Sequence, residues 1–383
     1  MAVARKGGRY KAVTGWRRRR EPLLVILPLL LLSATLLPLA GCKAARVGEE
    51  TVEPPPEPEK PPVNPLTGET VASWDLVTRR PLAVKVENDP KARPQSGIVD
   101  ADLVFEELVE GGVTRFICIY LSRDSQAIGP TRSARPSDID IISFLDPLLI
   151  CSGGSTAVIS MVQASGLHYI TEDASHFWRE RSRRAPHNLY TSTSLLRQYL
   201  AENGDSFNKL PDAGLYFAED GASEEPEGAG GQEEGEDGGE AASQSVMYSP
   251  ATAISIAYKA TICAASYQYD AATRSYLHFI QGAPHTDATT GRQVAPRNVI
   301  VQYVRVTDSG LRDTTGASVP ESHVTGSGKC LVFTDGKAYH ATWRKNNRNS
   351  PTVYVDENGD PVPLAPGQTW IHLINEEIAV KYQ

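Results

Sequence analysis

Cysteine is scarce in this chain. Its five residues include no Cys-x-x-Cys pair and no Cys/His spacing of the kind that holds zinc, so no structural metal is expected. A Gly-x-Ser-x-Gly turn is also missing, which removes the serine-hydrolase elbow. The stretch "GSGKC", residues 326–330, lacks the first glycine of a phosphate loop and the Ser/Thr after Lys329, and it precedes a strand; it reads as a hairpin turn. Positive charge is in deficit as well. The first 42 residues hold eight of the 38 Lys+Arg and one of the 46 Asp+Glu, so the remainder stands at −15. That balance excludes nucleic acid as a partner, and no motif asks for a cofactor.

What is present begins with a leader. Arg5, Lys6, Arg9, Lys11 and the run Arg17 to Arg20 precede the apolar stretch "PLLVILPLLLLSATLLPLAG", which ends at Cys42. A basic flank, an apolar core and small residues before the end make a secretory signal, and Pro28 and Pro38 argue against a permanent spanning helix. The ending Leu39-Ala40-Gly41-Cys42 resembles the bacterial lipobox. That resemblance implies a diacylglycerol on Cys42 and a chain tethered to the membrane at its extracytoplasmic face.

Composition then divides the rest. Residues 43–77 include "VEPPPEPEKPPVNP", whose prolines favour an extended stalk. Residues 219–245 form an acidic Gly/Glu-rich linker with ten acidic residues and no basic one between 219 and 240, too polar to offset the entropy of ordering. Two blocks of domain size remain, 78–218 and 246–383. In the first, "PLAVKVEN", "ADLVFEEL", "TRFICIYL" and "DPLLICSGG" read as strands, while "SARPSDIDIISFLD", "STAVISMVQASG" and "STSLLRQYLAENG" read as helices, which makes an α/β layered domain. In the second, "SYQYDAATRSYLHFIQG", "NVIVQYVRVTD", "KCLVFTDGKAYHATWRK", "PTVYVDENGDPVPL" and "QTWIHLI" are short β runs joined by tight turns, which makes a mainly antiparallel β domain. The fold class is α+β. Cys118, Cys151, Cys263 and Cys330 sit in apolar runs and read as buried thiols, with Cys118 to Cys151 the pairing an oxidising compartment would permit.

The long stretch "RPLAVKVENDPKARPQSGIVDADLVFEELVEGGVTRFICIYLSRDSQAIGPTRSARPSD", with "CSGGS" and "RAPHNLYTS", resembles the N-terminal domain of the YerB-like lipoproteins, a bacterial domain-of-unknown-function family. "YDAATRSYLHFIQGAPHTDATTGRQVAPRNVIVQ", "GSGKCLVFTDGKA", "TWRK" and "LAPGQTWIHL" resemble that family's C-terminal domain. Lys85 and Glu87 within "AVKVEN" depart from its pattern. The resemblance implies a two-domain lipoprotein of the cell surface and carries no activity with it.

The candidate site lies in the first block. Arg132 and Arg135 follow Gly129-Pro130, which should turn the chain and launch a helix with both guanidinium groups on its first turn. Cations there oppose the helix dipole, so acids are expected close by: Asp102, Glu106, Glu107 or Glu110, the last heading a Gly turn that returns through Arg115. One reading is a buried Arg–carboxylate network; the other is a guanidinium clamp for a phosphate or carboxylate ligand. Gly153, Gly154 and Ser155 before a helix offer backbone N–H groups to an anion, and His187-Asn188 after Pro186 forms a second candidate pair beside Arg179, Arg181, Arg183 and Arg184. The expected function is binding of an anionic envelope polymer or lipid-linked precursor. The alternatives are a wall-polymer hydrolase or transferase, with Asp102, Glu106 or Glu110 as base and His187 as acid, and a scaffold for protein partners. His285 and Asp287 in "APHTDATTG" read as a loop hydrogen bond, and Trp343 and Trp370 as core residues.

Overall fold

Five short apolar segments of the first block become strands: β1 (Leu82–Glu87), β2 (Leu103–Leu108), β3 (Thr114–Tyr120), β4 (Leu148–Ile150) and β5 (His168–Ile170). They lie side by side in the order β2-β3-β1-β4-β5; β3 is antiparallel to both neighbours, and β4 runs parallel to β1. The same sheet continues through Thr369–Ile374, Asn298–Tyr303, Gly326–Thr334, Lys337–Lys345 and Val353–Val355, with Ser249–Pro250 paired to Lys337–Lys345, to make eleven strands. Thr369–Ile374 is the join. Every residue of it is buried, and it runs parallel to β2 on one side and to Asn298–Tyr303 on the other. An apolar run without alternation needs a partner on both edges and a cover on both faces, and here both halves of the chain supply them.

The computed structural model describes residues 60–218, 248–313 and 315–383. The leader with Cys42, the stalk up to residue 59 and the acidic segment 219–245 lie outside them. Residues 60–77, assigned by composition to the stalk, lie against the fold: Leu66 and Val77 are in the core, and the Asn64 amide donates to Asp102 at 2.8 Å. Helices α1 (Asp75–Thr78), α2 (Pro136–Ile142), α3 (Thr156–Ser165) and α4 (Thr193–Glu202) complete the first half. Ser155 and Ser192 cap α3 and α4 through their hydroxyls, and Gly166 ends α3 in the left-handed region that glycine tolerates.

Two cores sandwich the sheet. Ala83, Phe105, Ile117 and Ile119 face α2 and α3, whereas Val84, Val86, Phe116 and Cys118 face the opposite way with Leu196 and Leu200 of α4 and Ile280. That opposite side meets a five-stranded antiparallel sheet in the order Ala283–Pro284, Ser275–Ile280, Ala265–Asp270, Ala253–Ala257, Ala379–Tyr382. An α+β fold with an α/β first half and a mainly antiparallel second half is what the sequence led one to expect. All four described cysteines are free and buried, so Cys118 and Cys151 form no bridge.

Two local expectations are corrected. Arg132 and Arg135 do not stand on the first turn of the helix after Gly129-Pro130, which starts at Pro136 with Arg135 extended as its N-cap. A proline disfavours helical geometry in the residue before it and is at home in the first helical turn, so Pro136 sets the start and both arginines precede it. The segment 326–330 is not a turn but the first part of strand Gly326–Thr334, and the turn is Asp335-Gly336 beyond it.

Candidate functional site

Alternation along the strands sorts the charged residues of β1, β2 and β3 onto two faces. Glu87 and Glu107 both stand opposite Arg115 across the ladders, and Lys85 is two residues from Glu87, so all four share the α2 side of the sheet. Glu106 and Thr114, each one residue away, take the other side.

On the α2 side the charges form a graded cluster. Lys85 is fully buried and contacts both Glu107 and Asp138 of α2. Asp138 also accepts the Arg135 backbone N–H at 2.8 Å, the N3-carboxylate half of a capping box at the start of α2. Arg135 reaches Glu110 through Nε and through NH2, the latter at 2.7 Å, and donates to the Ala134 carbonyl at 2.8 Å. Arg115 donates to the Ser133 carbonyl at 2.8 Å and lies 3.7 Å from the same Glu110. Burial, with Arg135 and Arg132 close by, pushes the Arg115 guanidinium down to about 10. Arg132 places Nε 2.8 Å from Glu87, whose second oxygen meets His187 Nδ1 at 2.9 Å. Arg132 is 22% and His187 16% exposed in their side chains, so this end of the cluster opens to solvent.

Gly153 belongs to the same place. Its carbonyl accepts from Ala134 N at 2.8 Å, while Ser152 N donates to the Arg132 carbonyl at 3.0 Å, so the turn leading into α3 runs along the arginine segment. Gly153 sits at φ +96 with nothing within 4 Å of a notional side chain, and Gly154 is exposed. The Ser155 hydroxyl is occupied as the cap of α3. Asn188 is not beside His187 in function. Its amide braces the loop by binding Arg179 NH1 at 2.8 Å and the carbonyls of Glu180 and Arg183.

The sequence-expected acids separate. Glu110 joins the arginines. Asp102 is buried elsewhere, accepting from Leu121 N, Ser122 N and Asn64. Glu106 faces the second sheet, where Thr114 Oγ1 donates at 2.7 Å, Trp370 Nε1 donates at 3.1 Å and His372 Nδ1 lies 3.3 Å away. Burial raises its carboxyl to about 7. His372 is held between Tyr258 at 2.8 Å and Tyr267 at 2.7 Å, and burial pushes it down to about 3. His278 stacks on Tyr267 and meets His285 at 2.9 Å, which in turn meets Gln95 at 3.0 Å. Asp287 takes no part: its carboxylate accepts from Thr289 N and Thr290 N in a turn. Sequence reasoning missed Lys85, Glu87, Asp138 and this histidine–tyrosine chain. For the first two the departures inside "AVKVEN" were the available signal; for the histidines, scattered singly, there was none. Among the described residues no group of three or more His, Cys, Asp or Glu is placed to hold a metal ion.

Comparison with known proteins follows this layout. The family described as protein of unknown function (DUF3048), N-terminal domain, matches residues 66–206, and its C-terminal domain matches residues 254–371. A relative named "Putative lipoprotein YerB", from Bacillus subtilis (strain 168), is 28% identical over 316 residues, 81% of this chain and 85% of the relative. The crystal structure of YerB protein from Bacillus subtilis matches with a TM-score of 0.67 at 26% identity, covering 83% of this chain and 99% of that one.

Proposed function

We propose, for a chain that belongs to the family of paired DUF3048 N-terminal and C-terminal domains, that the open end of the arginine cluster binds an anionic ligand of the cell envelope. The observation that supports it is a local charge imbalance in a largely buried place: among the described residues the guanidinium groups of Arg115, Arg132 and Arg135 make their ionic contacts to two carboxylates, those of Glu87 and Glu110, while Glu107 and Asp138 are taken up by Lys85. Arg135 is spent on Glu110 and on the cap of α2. Arg132 is not, since Nε toward Glu87 is its guanidinium's recorded ionic contact among the described residues. Its remaining N–H groups are of the planar, multi-donor kind suited to a phosphate or carboxylate, and the Gly153-Gly154 turn runs beside them. The ligand class is an anionic wall polymer or a lipid-linked precursor, met at the membrane surface if Cys42 carries a lipid. Hydrolysis or transfer at the same place has less support, because Glu106 is buried on the other face and Glu110 is held by Arg135, which leaves His187, oriented by Glu87, as the remaining proton-transfer candidate.

The test is thermal unfolding of residues 59–383 against inorganic phosphate, pyrophosphate and phosphorylated wall fragments, with Arg132→Ala in parallel. A stabilisation in wild type that vanishes in a folded Arg132→Ala protein supports the reading. Equal shifts in both proteins refute it.

A further inference from the structure

Lys85, Glu107 and Asp138 come from three different elements and meet with side chains that are all fully buried. Lys85 Nζ touches Glu107 Oε1 and lies 2.6 Å from Asp138 Oδ1. The two acids are not equivalent. Asp138 uses both oxygens, one toward Lys85 and one accepting the Arg135 N–H. Glu107 uses one, and its Oε2 is buried without any hydrogen-bond partner. Apolar Ala83, Phe105 and Ile117 share this face of the sheet and keep it dry.

An amine pressed against a carboxyl with a second carboxylate beside it, all shut away from water, is an arrangement for condensation. We propose that Lys85 and Glu107 become joined by an intramolecular isopeptide bond, with Asp138 as the proton-transfer group. Asp138 takes a proton from the Lys85 ammonium, the lone pair of the amine so formed attacks Glu107 Cδ, and an N–C bond forms. Asp138 delivers that proton to the departing hydroxyl, the oxygen now orphaned as Oε2, and takes a second from the nitrogen, ending as the neutral acid. The C–O bond breaks and one water leaves. An amine and a carboxylic acid become an amide and water, nothing is oxidised or reduced, and no co-reactant is needed. The new amide N–H then donates to Asp138 Oδ1 in place of the ammonium.

The charge states favour these roles. With one cation shared between two buried acids, burial pushes the Glu107 carboxyl up, whereas Lys85, Glu107 and the Arg135 N–H together hold Asp138 below the usual range. Glu107, with one oxygen that meets no donor, is the acid that keeps its hydroxyl, and Asp138, which accepts from Lys85 and from the Arg135 N–H, is the base. Fixed contact supplies the proximity that makes an otherwise slow condensation fast, and exclusion of water opposes the reverse reaction. The bond would tie β1 to β2 across β3, which lies between them.

Intact mass of the denatured full chain tests this, comparing wild type with Lys85→Arg isolated in the same way so that leader processing and lipid cancel. The expected result is a wild type lighter than the substitution alone accounts for by one water, with fragmentation placing the branch on Lys85. Wild type alone gives a second readout. After amine labelling of the denatured chain, Lys85 stays unlabelled while Lys91 reacts. Asp138→Asn is expected to show full mass and a labelled Lys85. A wild type of full mass with Lys85 labelled overturns the bond, and a bond that persists in Asp138→Asn overturns the role given to Asp138.

Discussion

Replacing Glu106 by glutamine keeps the side chain's shape and takes away its charge. In the fold, Thr114 and Trp370 donate to its two oxygens, and a glutamine retains an oxygen for Trp370 while its amide turns to Thr114. The carboxyl titrates at about 7 in the fold against 4.5 in the unfolded chain, because burial penalises the charged form. Between those values the folded state holds a proton that the unfolded state has lost. The stability Glu106 contributes is therefore present in full below pH 4.5 and falls as pH rises through about 7. At about 1.4 kcal/mol per pH unit, the whole window is worth about 3 kcal/mol. Any Glu107 that remains a free acid is pushed in the same direction, so the wild-type curve alone does not isolate Glu106. The difference between wild type and Glu106→Gln does, since groups that do not touch the site cancel. Urea unfolding of residues 59–383 from about pH 5 to about pH 8 should show the variant gaining about 3 kcal/mol on wild type across the range. A difference that stays level across that range would mean that Glu106 is ionised in the fold, and the account of the second face would fail.

Other perturbations separate the two faces further. His285 and His372, each pushed down to about 3 by burial, stay neutral in the fold where the unfolded chain protonates near 6.5, so their stability is present above 6.5 and lost as pH falls toward 3. His278 is pushed down by burial as well, so circular dichroism melts should fall on acidification because three histidines outweigh the opposite slopes of Glu106 and Glu107; an unchanged melt from about pH 6.5 to about pH 4.5 contradicts this. Arg135→Ala strands Glu110 and should cost about 3 to 5 kcal/mol in urea unfolding, and Arg132→Ala, at the open end, should cost clearly less. Equal losses would remove the distinction between brace and ligand contact. Ser155→Ala deletes the hydroxyl that accepts from Val158 N and should cost about 1 kcal/mol, measured the same way.

The strands and helices were legible because their signals are local. The short apolar run of β3, buried almost throughout, and the Ser caps with terminal glycines of α3 and α4 need no partner to be read. The start of α2 was legible too, in the Arg135-Pro136 step, but the earlier Gly129-Pro130 was given the weight. What was not legible depends on register. Glu106 and Glu107 are adjacent, so alternation alone sends them to opposite faces. Which one joins Arg115 depends on how β2 is set against β3, and no short-range pattern carries that. Lys85 inside an apolar strand looked like a departure from a family pattern. Its partners lie on β2 and α2, far along the chain. The junction of the two halves was hidden for the same reason: "QTWIHLI" reads as a strand, yet nothing in it names β2 as a neighbour.

Burial then orders the charge cluster by depth. Lys85, Glu107 and Asp138 have no exposure, Glu87 and Glu110 little, and Arg132 and His187 the most. A fully buried ion has no route to a ligand, so a change at the inner end acts on stability or on covalent chemistry among those three groups. A side chain at the outer end keeps N–H groups toward solvent and gives up little when its internal contact is lost. The Arg135 segment links the two ends, capping α2 through Asp138 and clamping Glu110 with its guanidinium, and the Arg132 backbone N–H donates to the Lys85 carbonyl at 2.9 Å. A ligand that draws Arg132 away from Glu87 would therefore leave the inner triad and the start of α2 in place. Binding and folding are separable along this one line of residues, and substitutions taken in order from Arg132 inward to Lys85 should pass from loss of binding with the fold intact to loss of the fold itself.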